Sequence, residues 1–346
     1  MEKNTMLLPS PQQLKKEVPI NASSELFIQE SRKIIRNIIT GTNPTFSIIL
    51  GPCSLHNTDS AIEYAKRVKE LQKRVKQNCL LVMRAHIEKP RSHLGWKGLL
   101  HDPQLKGSEN ITEGIIFCRE LLVKLALLEV PLATEFLDPL ASTYFTDLIS
   151  WGFIGARTVS SQTHRQLASH LPMPIGFKNT TEGNIESAVH GALFAKRAHS
   201  FLHVDETGKI APVLSQGNPY SHIVLRGSKN EPNYTTDKVN LANTLSHQNS
   251  LKNKLLIDCS HGNSEKNHNL QEKAFHSVLN QRLSNPNIIM GTMIESHLEG
   301  GNQSRSTFSN PSISITDSCI DWSLTEELVI SASTALELCS TGSSSS

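Results

Sequence analysis

The chain has 346 residues, with 34 Lys plus Arg against 32 Asp plus Glu for a formal net charge of +2, and 38% of its residues are hydrophobic. That balance argues against a nucleic-acid or membrane-surface partner, since such proteins usually carry a large excess of Lys and Arg, and no run approaches the roughly 18 apolar residues of a membrane span. The six cysteines, Cys53, Cys79, Cys118, Cys259, Cys319 and Cys339, form no CxxC pair, and the start Met1-Glu2-Lys3-Asn4-Thr5 lacks an apolar signal core, so reduced thiols and a cytoplasmic location are expected.

Residues 1–40 form an extension with an expected helix at Ser24–Ile38. From there on, apolar runs of strand length alternate with stretches of helical period. The runs are Phe46–Leu50, Leu80–Ala85, Leu132–Phe136, Phe153–Ala156, Pro174–Phe177, His222–Leu225, Leu255–Ile257 and Ile288–Met293. Between and after them, Ser60–Lys76 places Ala61, Tyr64, Ala65, Val68 and Leu71 on one face, and further helices are expected at Ile111–Leu128, Ser142–Ser150, Gln162–Ser169, Ile185–Arg197, Asn240–His247, Leu270–Leu283 and Thr325–Leu338. Length alone suggests about two domains of ~150 residues. Eight strands alternating with helices instead predict the α/β class with one (β/α)8 TIM barrel over 41–339, a doubly wound open sheet being the alternative. Between the fifth and sixth strands, residues 198–216 read as an inserted β-hairpin, Ser200–Val204 and Ile210–Leu214 around Asp205-Glu206-Thr207-Gly208. The Ser-rich residues 340–346 predict a disordered tail.

In a barrel the carboxyl ends of the strands converge on one mouth, so the residues following each apolar run are the candidates for chemistry. Cys53, His261 and Glu295 stand there, and with Asp317 they make a metal-ligand set of one sulfur, one nitrogen and two carboxylates. Such a set suits a divalent Mn, Fe, Co, Cu or Zn ion better than Mg or Ca. Singly, each has an ordinary alternative: Cys53 a small buried hydrophobe, His261 a hydrogen-bonded loop histidine, Glu295 or Asp317 a helix cap or surface carboxylate. A second cluster is cationic: Arg84, Lys89, Arg91, Lys97, Arg157, Lys178 and Arg226. Salt bridges to neighbouring acids are the ordinary role of any one of them. Seven at one mouth, set against a metal site of net charge −1, would leave about +6, which roughly matches two phosphorylated substrates, one also a carboxylate, at −1.5 to −2 per phosphate.

The motifs Gly51-Pro52-Cys53-Ser54, Glu88-Lys89-Pro90-Arg91-Ser92, Gly95-Trp96-Lys97-Gly98, Gly155-Ala156-Arg157-Thr158, Gly176-Phe177-Lys178-Asn179, Leu225-Arg226-Gly227, Asp258-Cys259-Ser260-His261 and Ile294-Glu295-Ser296-His297 stand in the order and spacing of type I 3-deoxy-D-arabino-heptulosonate 7-phosphate (DAHP) synthases, which the chain resembles over roughly residues 7 to 338. The resemblance implies a metal-dependent aldol-type condensation of phosphoenolpyruvate with erythrose 4-phosphate and water, the first step of the shikimate pathway. It implies Cys53, His261, Glu295 and Asp317 as metal ligands; Arg84, Lys89, Arg157, Lys178 and Arg226 for phosphoenolpyruvate; and Lys89, Arg91 and Ser92 for erythrose 4-phosphate. Ser92 replaces the threonine of many relatives and keeps its hydroxyl. Lys178 and Glu135 are implied to handle the proton of the attacking water, with His56 near the metal. In the family the N-terminal extension and the inserted hairpin can form an aromatic amino acid effector site, here with Phe201 and Val213, and relatives are commonly dimers or tetramers. The alternatives are a sister synthase using a different phosphosugar, which Lys-Pro-Arg-Ser with Trp96-Lys97-Gly98 disfavours, and a non-catalytic regulatory barrel.

Overall fold

In the computed structural model, residues 7–107 and 109–342 are described. Eight parallel strands close into a barrel, so the barrel holds and the open sheet does not. In chain order these are β1 (Phe46–Gly51), β2 (Cys79–Arg84), β3 (Leu132–Glu135), β4 (Trp151–Ile154), β5 (Ile175–Lys178), then, after the hairpin strands β6 (Ser200–Val204) and β7 (Ile210–Leu214), β8 (His222–Leu225), β9 (Leu255–Asp258) and β10 (Ile289–Glu295). β1 pairs with β2 and β10, which closes the ring. Every barrel strand is buried on both faces apart from Leu80, because helices cover the outside while side chains fill the inside.

Helices α1 (Pro11–Glu17) and α2 (Ala22–Thr40) precede the barrel, and α3 (Thr58–Val75), α4 (Ile111–Leu127), α5 (Gln162–His170), α6 (Glu186–Ala195), α7 (Thr236–Gln248), α8 (Gln271–Ser284) and α9 (Trp322–Gly342) surround it. Helix α2 starts where the Asn21 side chain accepts the Ser24 N–H, and it stops at Gly41, whose φ of 84° is left-handed. It crosses the amino-terminal end of the barrel. Ile35, Ile38 and Ile39 form one buried cluster with the interior residues Ile49, Val82, Trp151, Phe153 and Val224. Arg36 donates to Pro172 O, and Ile39 O accepts from Lys254 N, both just ahead of strand starts.

Three expectations need correction. Ser142–Ser150 is not an α-helix: only the short 3-10 turn Ala141–Tyr144 forms. Its later carbonyls are taken by arginines from elsewhere, Tyr144 O by Arg119 at 2.8 Å and Ile149 O by Arg32 at 3.0 Å, with Thr146 O also bonded to Arg32. The fourth strand begins two residues early, at Trp151, which is fully buried and stacks on Phe153. Residues 340–342 continue α9, while 343–346 lie outside the described residues. Among the described residues, no helix is long and apolar enough to cross a membrane.

β6 and β7 pair antiparallel with Phe201 opposite Val213. Their turn is closed by Asp205 Oδ1, which accepts from Thr207 N and Lys209 N, with Gly208 at a φ of 84°. Helix α1 meets this turn, since Gln12 N donates to Glu206 O at 2.9 Å and Lys15 pairs with Glu206.

Candidate active site at the carboxyl mouth of the barrel

Six of the eight barrel strands are charged at their ends or one residue past them. Arg84, Glu135, Lys178, Asp258 and Glu295 close β2, β3, β5, β9 and β10, and Arg226 follows β8 by one residue. Two positions earlier stand Val82, Ala133, Gly176, Leu256, Met293 and Val224. The strand period of two therefore stacks one charged layer on one apolar layer. Two glycines make room for it. A Cβ on Gly51 would lie 2.7 Å from Arg84 O, and one on Gly155 would lie 2.0 Å from Glu135 Oε1.

Charges this deeply buried need partners. Arg84 meets Glu295 at 3.0 Å, Lys178 meets Asp258 at 2.9 Å, and Lys89 meets Asp317 at 2.7 Å. Lys89 Nζ is also 2.7 Å from Cys53 Sγ. The ordinary salt-bridge role thus accounts for three cations of the expected cluster, and a fourth, Lys97, turns to Glu109 at 2.9 Å. Arg91, Arg157 and Arg226 have no acid within salt-bridge distance among the described residues. Arg157 Nε donates to Ser92 Oγ at 2.8 Å and Arg91 Nε to Trp96 O at 2.8 Å, so the two expected substrate regions touch. The resulting cleft of about 190 Å³ is lined by Arg84, Lys89, Arg91, Ser92, Glu135, Arg157, Lys178, Arg226, His261 and Asp317, together with His86 and Lys266. A larger cavity of about 630 Å³ between α7 and α8 has a lining without charge, which makes it a poor receptacle for phosphates.

Beneath the cleft, ligand atoms of Cys53, Glu295 and Asp317 lie within 4.8 Å of one another. His261 Nε2 is 3.6 Å from Glu295 Oε1, while its Nδ1 faces Asp258 Oδ2 at 3.0 Å and Ser260 Oγ at 2.8 Å. His261 stands outside that group of three, but one of its ring nitrogens is held by an outer carboxylate and the other is turned toward Glu295, an orientation that suits a metal ligand. Burial lowers the His261 pKa, leaving a neutral ring with a lone pair to give. Burial, then the charge of Glu295, pushes the Cys53 thiol up to about 11. Burial alone would also raise Asp317, but the Lys89 ammonium overrides it and holds the carboxyl below its usual range. Glu295 Oε1 accepts no hydrogen bond, although Arg84 Nη2 stands 3.0 Å from it as an ion-pair partner. A buried S, N, O, O donor set of this kind fits a borderline divalent ion.

Not every expected residue comes to the cleft. His56 is buried behind Cys53, its ring 5.5 Å from that of His297 and 5.7 Å from Phe308. Phe201 and Val213 are half-buried in the hairpin, where the Phe201 ring stands 6.2 Å from His170 and 6.1 Å from His203. Two residues at the mouth escaped the sequence reading. Asp258 was quoted only within a motif, yet it holds both Lys178 and His261. His86 follows Arg84 by two, in step with the strand period.

The family model of the DAHP synthetase I family matches residues 17–329. The chain belongs to that family. It is 43% identical over 327 residues to the phospho-2-dehydro-3-deoxyheptonate aldolase, Tyr-sensitive, of Salmonella typhimurium, covering 93% of this chain and 91% of that one. It is 40% identical over 333 residues to the Trp-sensitive aldolase of Escherichia coli K12, covering 95% of each. A solved structure of phospho-2-dehydro-3-deoxyheptonate aldolase from Francisella tularensis superposes with a TM-score of 0.95 at 38% identity, covering 98% of this chain and 99% of that one. Membership in the DAHP synthetase I family and the closed barrel agree with the resemblance read from the motifs.

Proposed function

We propose that this chain is a 3-deoxy-7-phosphoheptulonate synthase, a transferase that condenses phosphoenolpyruvate with D-erythrose 4-phosphate and water to give DAHP and phosphate, the first step of aromatic amino acid biosynthesis. The observation that carries the reading is the charged layer itself: buried, paired cations and unpaired arginines converge over a metal-ligand group in one cleft. Cys53, His261, Glu295 and Asp317 would hold a divalent ion, which would supply Lewis-acid polarisation of the aldehyde oxygen of erythrose 4-phosphate.

The protein's own groups do the rest. Arg157 and Arg226, lacking acid partners, bind the phosphate of phosphoenolpyruvate, and Arg84 and Lys178 hold its carboxylate, so that C3 is aimed at the aldehyde carbon. Arg91 and Ser92 hold the phosphate of erythrose 4-phosphate, and the Ser92–Arg157 hydrogen bond fixes the spacing between the two substrates. As the C–C bond forms, positive character at C2 is captured by water, whose proton goes to Glu135 with Lys178 beside it. Glu135 Oε1 is buried and accepts no hydrogen bond, so it has an acceptor to offer. The C2–O bond to phosphate then breaks as the C2 hydroxyl becomes the ketone and its proton passes to the leaving phosphate, whose dianion the arginines stabilise, while the proton on Glu135 goes to the new alkoxide at the former aldehyde carbon.

Regulation belongs to the same reading. An aromatic amino acid acts at the hairpin near Phe201 and Val213, and the chain works as a homodimer or homotetramer. The names of the Tyr- and Trp-sensitive relatives support the first, and the exposed Leu202, Ile210 and Leu214 of the hairpin support the second. The test is a discontinuous assay for the heptulosonate product after chelator treatment and re-addition of Mn²⁺, Fe²⁺ or Zn²⁺, then with Phe, Tyr or Trp added separately. No product with any metal overturns the function. Product only with another phosphosugar favours a sister synthase, and no response to any amino acid overturns the effector.

A further inference from the structure

His86 is an imidazole at the mouth whose ring has no hydrogen-bond partner among the described residues. The Ala85 N–H still donates to Ala133 O at 2.7 Å, so the backbone stays extended past β2 and His86 turns to the same side as Arg84. The His86 carbonyl accepts Leu55 N–H at 2.8 Å, which fixes the backbone there. The ring lines the cleft and is only 2% exposed, and its Nε2 is shut off from solvent with no hydrogen bond. A buried polar atom left this way is unfavourable and rare unless a ligand or function accounts for it. Burial, then Arg84, Lys178, Lys89 and His261, hold the ring's pKa well below its ordinary value, so it is neutral and a poor proton acceptor.

We propose that His86 binds phosphoenolpyruvate, giving a ring N–H to an anionic oxygen of the carboxylate held by Arg84 and Lys178. It adds a directed hydrogen bond without adding charge to a site already crowded with cations. The inference rests on the synthase reading above, and the experiment separates the two. Phosphoenolpyruvate binding to the metal-loaded protein is measured by calorimetry without erythrose 4-phosphate, beside steady-state kinetics. His86→Phe is expected to weaken phosphoenolpyruvate binding about tenfold to a hundredfold with the KM for erythrose 4-phosphate unchanged, and His86→Gln, which keeps an N–H, recovers most of the loss. In ¹⁵N spectra of histidine-labelled wild-type protein, phosphoenolpyruvate is expected to shift one neutral ring signal that is missing from His86→Gln; this readout stands even if His86→Phe does not fold. Unchanged binding in a folded His86→Phe protein, or no such shift in the wild type, overturns the role of His86 and leaves the synthase reading intact. Failure of the wild type to bind phosphoenolpyruvate or form heptulosonate overturns the synthase reading instead.

Discussion

Asp258→Asn keeps the shape of a fully buried side chain and removes its charge. In the wild type, Oδ1 accepts from Ser260 N at 3.0 Å, and Oδ2 faces Lys178 Nζ at 2.9 Å and His261 Nδ1 at 3.0 Å. The amide can keep the first contact and loses the anion that the other two need. Leaving a buried charge unpaired costs about 3–5 kcal/mol, against a total stability of about 5–15 kcal/mol, so the variant should fold but melt roughly 5–15 °C lower. Loss of the outer partner of a ligating histidine should weaken metal binding about 10- to 100-fold. Burial opposes the Asp258 charge, but Lys178 and His261 hold its pKa well below the carboxylate range. Its contribution is therefore complete above about pH 4 and is lost only as pH falls through the depressed value. Melting curves from pH 5 to 8 should show a constant gap between wild type and variant, and chelator competition should show the weaker metal. Asp258→Asn/Lys178→Met should recover the melting temperature without recovering turnover. A single variant that melts within about 2 °C of wild type and binds metal equally would refute the argument.

Gly155→Ala should push Glu135 from its place, because the new Cβ would stand 2.0 Å from Oε1; kcat should fall at least about tenfold with little change in melting, and undiminished turnover would remove Glu135 from the proton path. Cys53→Ala should lose bound metal and turnover together, read by metal analysis beside the product assay, and an active, metal-replete variant would sink the ligand assignment. At the barrel floor, His222 accepts from Trp151 Nε1 at 3.2 Å, donates to Tyr220 O, and is pushed down to about 4 by burial. Its neutral form stabilises the fold fully above about pH 6.5, and that contribution, about 3 kcal/mol, fades as pH falls toward 4. His222→Gln should flatten this part of the stability profile in denaturant titrations, and an unchanged slope would refute the assignment.

The barrel was legible because parallel strands covered on both faces read as short apolar runs, and the mouth was legible because all but the first of these runs end in or near a charge. What escaped depended on contacts distant in sequence. Ser142–Ser150 has helical spacing, but nothing local reveals that Arg32 and Arg119, more than 20 residues away, take its carbonyls. Trp151-Gly152 resembles a turn until the interior cluster is seen to need the indole. Lys178 reads as a substrate cation from its position, whereas its dependence on Asp258, 80 residues on, appears only in three dimensions. His86 directly follows its run, but a lone histidine carries no sign in sequence that its ring lines the cleft, which only the packing shows.

The crossing of α2 over the barrel floor divides the first forty residues into two mechanically different parts. Ile35, Ile38 and Ile39 act as a stopper seated in the barrel, whereas α1 packs Leu14 against the outer core and reaches the hairpin turn through the polar contacts of Gln12 and Lys15. A truncation ending near residue 20 would cut a tether and leave the vessel sealed; one ending near residue 40 would uncork it. Release of the hairpin turn and loss of the fold are therefore separable by where the cut falls, within a single short stretch of chain.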